Sequence, residues 1–154
     1  MIKKIKNFHI AVDGSSASGK TTASKIISKE FNLKLLSSGK LYRYIAYKII
    51  KNKNKYNKNI IYNFSKSITE KKLNSKKLYN QNVTNLSSII AKKKYVRNYL
   101  KKFQIDFIKQ NNKVIIEGRD IASKIMPNAD LKIYFKCSLN EKAKRRLKEF
   151  KKTV

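Results

Sequence analysis

Eight residues near the start of the sequence carry its most specific chemistry. Gly14, Ser15, Ser16, Ala17, Ser18, Gly19, Lys20 and Thr21 satisfy the pattern GxxxxGK[ST] at every specified position. Small residues in such a loop let successive backbone N–H groups curl around a β-phosphate, and the helix that follows adds the positive end of its dipole. Lys20 has the reach for the β- and γ-phosphate oxygens, and the Thr21 hydroxyl is a ligand for Mg²⁺. ATP or another nucleoside triphosphate, with Mg²⁺, is therefore the first ligand to expect. The motif alone leaves GTPases, ATPases and small-molecule kinases open.

The elements around the loop suit this use. Phe8 to Val12 reads FHIAV, a buried strand ending at Asp13-Gly14, and Thr21 to Phe31 carries Ala23, Ile26, Ile27 and Phe31 at helical spacing. His9, the only histidine, reads as a packed or edge residue of that strand. A second strand is expected at Leu33 to Leu36, followed by Ser37-Ser38-Gly39 and a helix with Leu41, Tyr42, Ile45, Ala46, Ile49 and Ile50. Lys51 to Lys58, KNKNKYNK, reads as an exposed loop or frayed helix. Ile60 to Ile68 and Leu73 to Leu100 read as mostly helical, broken by asparagines, and Tyr95 to Ile108 as a clearer helix with an apolar stripe. Lys113 to Ile116 is a strand leading into Glu117-Gly118-Arg119-Asp120, Leu131 to Phe135 another strand, and Asn140 to Phe150 a basic helix. This order predicts an α/β protein with a central parallel sheet flanked by helices, the P-loop NTPase fold, in which Phe8–Val12, 113–116 and 131–135 are neighbours.

Composition adds limits. The 154 residues fit one domain, and 41% hydrophobic residues can fill a core. The 38 basic residues against 9 acidic give +29, but lysine recurs through every segment and forms no single basic face. Non-specific attraction to RNA follows from that charge, and no specific nucleic-acid or membrane partner is expected. Arg43, Arg97, Arg119, Arg145 and Arg146 are the only arginines. Among so many lysines they mark positions where a guanidinium fork is wanted. Cys137 is alone, which excludes a disulfide framework or a CxxC pair. The opening MIKKIKNFHIAVDG is too short in apolar residues for a signal peptide or membrane span, so a cytoplasmic setting is expected.

No NKxD and no suitably placed DxxG supports a GTPase, which leaves a compact kinase. Five segments, IAVDGSSASGKT at Ile10 to Thr21, LLSSGKLYR at Leu35 to Arg43, YVRNYLKKFQIDF at Tyr95 to Phe107, VIIEGRDIASKIMPNADLKIYFKCS at Val114 to Ser138 and EKAKRRL at Glu141 to Leu147, occur in an order that resembles bacterial cytidylate kinase, a nucleoside monophosphate kinase. The resemblance implies ATP-dependent phosphorylation of CMP and dCMP. It places Ser38, Tyr42, Arg43, Arg97 and Arg119 on the monophosphate, with Asp120 toward the cytosine or its surroundings. Glu117, where the family usually has aspartate, falls near the Mg²⁺ shell beside Thr21. Lys20, Arg119 and Arg43 are the groups implied in catalysis. Arg43, Arg97 and Arg119 are expected in one cleft facing the phosphate loop, and Arg145 and Arg146 could grip ATP phosphates.

Two departures accompany the resemblance. The segment 51–94 reads as a shortened, mostly helical insertion on the monophosphate side of a kinase-like domain spanning 1–154. Within it Leu78 to Val83 lacks the family's base-side arginine. The family's lid and last strand have no counterpart in this sequence, so the chain reads as C-terminally incomplete, with an uncovered sheet face at Ile115, Leu131, Ile133 and Phe135 through which it could self-associate. The other reading is a truncated or residual P-loop protein that binds nucleotide or RNA without efficient phosphotransfer.

Overall fold

The computed structural model describes residues 6–53 and 55–151; the side chains of Arg146, Glu149, Phe150 and Lys151 lie outside the described set. Strands β1 (Phe8–Gly14), β2 (Lys34–Ser37), β3 (Lys113–Gly118) and β4 (Leu131–Phe135) form a parallel sheet in the order β2-β3-β1-β4. The two central strands are the near-continuous apolar runs that a sheet buried on both faces requires. Ile10, Ala11, Val12, Val114, Ile115 and Ile116 are all buried. Along β1 the pleat sends Ile10 and Val12 to one face, where they form a core with Leu33 and Ile115. Ile27 of helix α1 (Lys20–Glu30), together with Phe8, Leu35, Ile133 and Phe135, packs against it.

Strands β1 and β3 each run two residues beyond the expected Val12 and Ile116, because the ladder continues in register until Asp13 stands beside Gly118. That extension brings the start of the phosphate loop and the Glu117-Gly118-Arg119 segment to the same end of the sheet, at the carboxyl ends of adjacent strands. The expected uncovered face is smaller than the sequence suggests. Ile115 is fully buried and Ile133 and Phe135 pack on the core, which leaves Leu131 exposed on the edge strand.

The chain divides into two compact units, one comprising 1–37 and 111–154 and the other 38–110. The sheet belongs to the first, together with α1 and the helix α7 (Leu139–Lys151). The second is helical: α2 (Ser38–Lys51), α3 (Lys58–Lys66), α4 (Glu70–Leu73), a single 3₁₀ turn at Lys76–Leu78, α5 (Gln81–Ile90) and α6 (Lys94–Lys109). Its core draws Leu41, Ile45 and Ile49 from α2, Ile61 from α3, Ile90 from α5 and Leu100 from α6. The expected long helical stretches are cut where polar side chains cap new starts. Asn57 accepts from the Ile60 N–H at 2.9 Å, Thr69 from Lys72 at 3.4 Å and Asn80 from Val83 at 2.9 Å. The segment 51–94 lies within this unit. Among the described residues no helix is long and apolar enough to cross a membrane.

Candidate functional site

The phosphate loop is shaped by its neighbours as much as by its own residues. A Cβ on Gly14 would stand 2.8 Å from the Phe135 carbonyl oxygen of β4 and 2.8 Å from Ser18 Oγ, so the chain turns here only because the side chain is absent. Gly19, with φ +94°, takes the left-handed conformation that starts α1. Ala17 shares positive φ at 59°. Ser18 is buried, and its hydroxyl has no hydrogen-bond partner within the protein. Lys20 Nζ donates to the Ser15 carbonyl at 3.0 Å, which folds the side chain back over the loop. Burial pulls its pKa below the ordinary lysine value, Glu117 opposes that shift, Arg119 adds to it and Asp13 again opposes it.

Glu117 joins the loop to the sheet. Its carboxylate is buried and accepts hydrogen bonds from Thr21 Oγ1 at 3.1 Å and from Ser37 Oγ at the end of β2. A hydroxyl and a carboxylate side by side next to a phosphate cradle are the donor set Mg²⁺ uses when most of its other ligands are water and phosphate oxygens. The orphaned Ser18 hydroxyl and the crowding at Gly14 mark the same loop as built to close around a polar group. The residues fit a Mg²⁺-triphosphate.

Arg119 is exposed and, with Gly14, Ser15, Ser16, Tyr134 and Lys142, lines a cleft of about 440 Å³ over the loop. Asp120 follows it and accepts at its carbonyl from Lys124 N–H at 2.9 Å. Both sit between Gly118 and a wide helical turn at Ile121–Ile125. The first two amides of that turn donate to Asp13, Ile121 N–H to Oδ1 at 2.8 Å and Ala122 N–H to Oδ2 at 2.9 Å. On α7, Arg145 pairs with Glu141 at 2.8 Å and reaches the Ala17 carbonyl at 3.4 Å. The Arg146 side chain lies outside the described residues.

The remaining sequence-derived residues belong to the helical unit. Ser38 is buried at the first position of α2, and Tyr42 is half-buried one turn on. Arg43 donates to the Leu78 carbonyl at 3.2 Å and to Thr84 Oγ1 at 2.8 Å, with its guanidinium 5.3 Å from the Tyr79 ring centroid. Arg97, exposed on α6, donates to the Ala91 carbonyl at 3.4 Å. Arg119 is thus placed on the sheet unit, and Arg43 and Arg97 on the helical one.

Residues 10–154 match the family model described as cytidylate kinase. The chain belongs to the cytidylate kinase family. The cytidylate kinase of Rickettsia rickettsii (strain Sheila Smith) is 38% identical over 145 residues, which cover 94% of this chain and 65% of that protein. The cytidylate kinase of Phytoplasma mali (strain AT) is 35% identical over 168 residues, covering 96% and 70%. The chain therefore spans less than two thirds of the length of the Rickettsia protein.

Within this cytidylate kinase fold, motif reading passed over Asp13, Ser37, Tyr134 and Lys142. Asp13 and Ser37 flank residues it did select, Gly14 and Ser38, and their polar side chains at strand ends were the available signal. Nothing in the sequence singles out Tyr134 or Lys142, because their place depends on β4 lying beside β1.

Proposed function

We propose that the chain carries out ATP-dependent phosphorylation of CMP and dCMP, giving CDP or dCDP with release of ADP. The observation that carries this reading is the Glu117 carboxylate bonded to both Thr21 and Ser37 beside a complete phosphate loop, in a chain of this family. Gly14 to Thr21 hold the ATP phosphates through backbone N–H groups, and Lys20 offsets charge on the phosphoryl group as it moves. Thr21 and Glu117 would hold Mg²⁺, which supplies positive charge to the β- and γ-phosphate oxygens. Arg119 takes the acceptor phosphate on the sheet unit, and Arg43 and Arg97 do so on the helical unit, with Ser38, Tyr42 and Asp120 on the rest of the monophosphate. Arginine suits this task because its fork matches phosphate oxygens two at a time.

The acceptor oxygen on CMP is already anionic near neutral pH. It needs alignment with the γ-phosphorus and no strong general base. The P–O bond to ADP breaks as the new bond to CMP forms. Both substrates are small free nucleotides, and the cytoplasm is the proposed setting. The test is ADP release in the presence of Mg²⁺-ATP, with and without CMP. Release that depends on CMP and vanishes in Lys20→Ala supports the reading, and release indifferent to CMP removes it.

A further inference from the structure

Asp13 stands next to the phosphate loop, yet its side-chain hydrogen bonds go to the segment that follows Arg119. Its backbone pairs with Gly118 in the β1–β3 ladder, while its side chain accepts the N–H groups of Ile121 and Ala122. Only Arg119 and Asp120 lie between those two anchors. One residue of β1 thus ties down both ends of the short segment that presents Arg119 to the cleft. Asp13 is 6% exposed, and its two carboxylate oxygens divide between two consecutive amides. An ionised acceptor suits that geometry, because hydrogen bonds to a charged oxygen are the stronger kind and water competes weakly for a buried one. The turn it holds is locked on its other side as well: Ile121 is fully buried and its carbonyl accepts from Met126 N–H at 2.7 Å.

We propose that Asp13 is a positioning residue for the acceptor nucleotide: it fixes the backbone of Arg119 so that the guanidinium meets the monophosphate. This rests on the acceptor role given to Arg119 above. Both side-chain oxygens of Asp13 are taken up by backbone amides, so its effect on CMP passes through the segment 119–122. Because Gly14 follows it directly, the same residue sets the spacing between the donor-phosphate loop and the acceptor-side arginine.

The experiment is a double-mutant cycle read by calorimetric binding of CMP and, separately, of Mg²⁺-ATP to the full chain. Asp13→Asn keeps the shape but presents an NH₂ group to one of the two amides. It should weaken CMP binding about tenfold, the loss expected for one charge-assisted hydrogen bond, while Mg²⁺-ATP binding changes much less. In an Arg119→Ala background the same substitution should add little further loss, since its effect passes through Arg119. Additive losses, or equal weakening of both nucleotides, would overturn the positioning role and leave the acceptor role of Arg119 standing. Unchanged CMP binding in Arg119→Ala alone would instead remove that acceptor role, and the inference with it. Should Asp13→Asn not fold, amide exchange on the unaltered chain decides the clamp: Ile121 and Ala122 must exchange far more slowly than a free peptide amide, and fast exchange at either amide overturns the proposal.

Discussion

The two units hold their polar groups by different means. In the sheet unit, Glu117 receives hydroxyls from Thr21 and Ser37, 96 and 80 residues away, and Asp13 receives amides 108 and 109 residues on. In the helical unit, Arg43 is held by Leu78 and Thr84, 35 and 41 residues away, and Arg97 by Ala91 at a separation of 6. A parallel sheet brings distant strand ends together and buries the joints between them, so each joint is made of fixed partners at short range. Helices joined by brief capped turns hold their charged groups against carbonyls, hydroxyls and ring faces that remain partly open to water. The sheet unit should therefore answer to single-atom changes sharply, and the helical unit gradually.

The largest expected effect is at Lys20. Lys20→Ala removes the one loop side chain able to follow charge onto the moving phosphoryl group, and CMP-dependent turnover should fall by at least about a hundredfold, the usual loss for one such electrostatic contact. Steady-state ADP release measures it. A loss under tenfold would mean that the loop backbone carries the transition-state charge without its lysine.

Glycine substitutions compare the two units directly. Gly14→Ala puts a methyl group 2.8 Å from a backbone oxygen that cannot move without displacing β4, and should cost roughly 1–3 kcal/mol of stability as an overpacked site. Gly39, at the second residue of α2, has nothing within 4 Å of an added Cβ. There alanine should be neutral or stabilising by up to about 1 kcal/mol through helix propensity alone. Thermal melts of the two variants should move in opposite directions, and a shared sign would erase the distinction between the units.

The same difference explains what could be read in advance. The phosphate loop, the parallel sheet and the adjacency of three of its strands were legible because GxxxxGKT has a fixed backbone consequence and because FHIAV, KVII and LKIYF are apolar runs of strand length. The helical unit was legible only as helical. Its breaks fall at Asn57, Thr69 and Asn80, and in a segment so rich in asparagine the sequence does not say which polar residue becomes a cap and which points to solvent. Asp13 and Ser37 were passed over for another reason: their partners are assembled by strand register, and register is a property of the folded sheet.

A smaller effect concerns pH. Burial lowers the Lys20 pKa below the ordinary lysine value of 10.5, and only the protonated amine attracts phosphate. Affinity for Mg²⁺-ATP should accordingly be full at neutral pH and decline as pH rises through the lowered value, so that the loss begins before 10.5. In Lys20→Arg, whose guanidinium stays charged, that alkaline decline should disappear even if binding is weaker throughout. A decline unchanged by the arginine would assign it to another group.

The smallest effect is expected at Thr84, where the helical unit grips Arg43. Thr84→Val keeps the branched shape and removes the hydroxyl that accepts from Arg43 Nη1 at 2.8 Å. The guanidinium retains the Leu78 carbonyl and the Tyr79 face, so its orientation loosens without being lost. Stability should fall by about 1 kcal/mol, the net worth of one partly solvated hydrogen bond. CMP binding should weaken only a few-fold, since a charged group with several supports gives up little by losing one of them. Binding titrations of Thr84→Val beside Asp13→Asn would set the two units against each other in one measurement. If the helical change proves the costlier, the gradual response ascribed to that unit is wrong, and Arg43 is held as rigidly as the groups at the sheet.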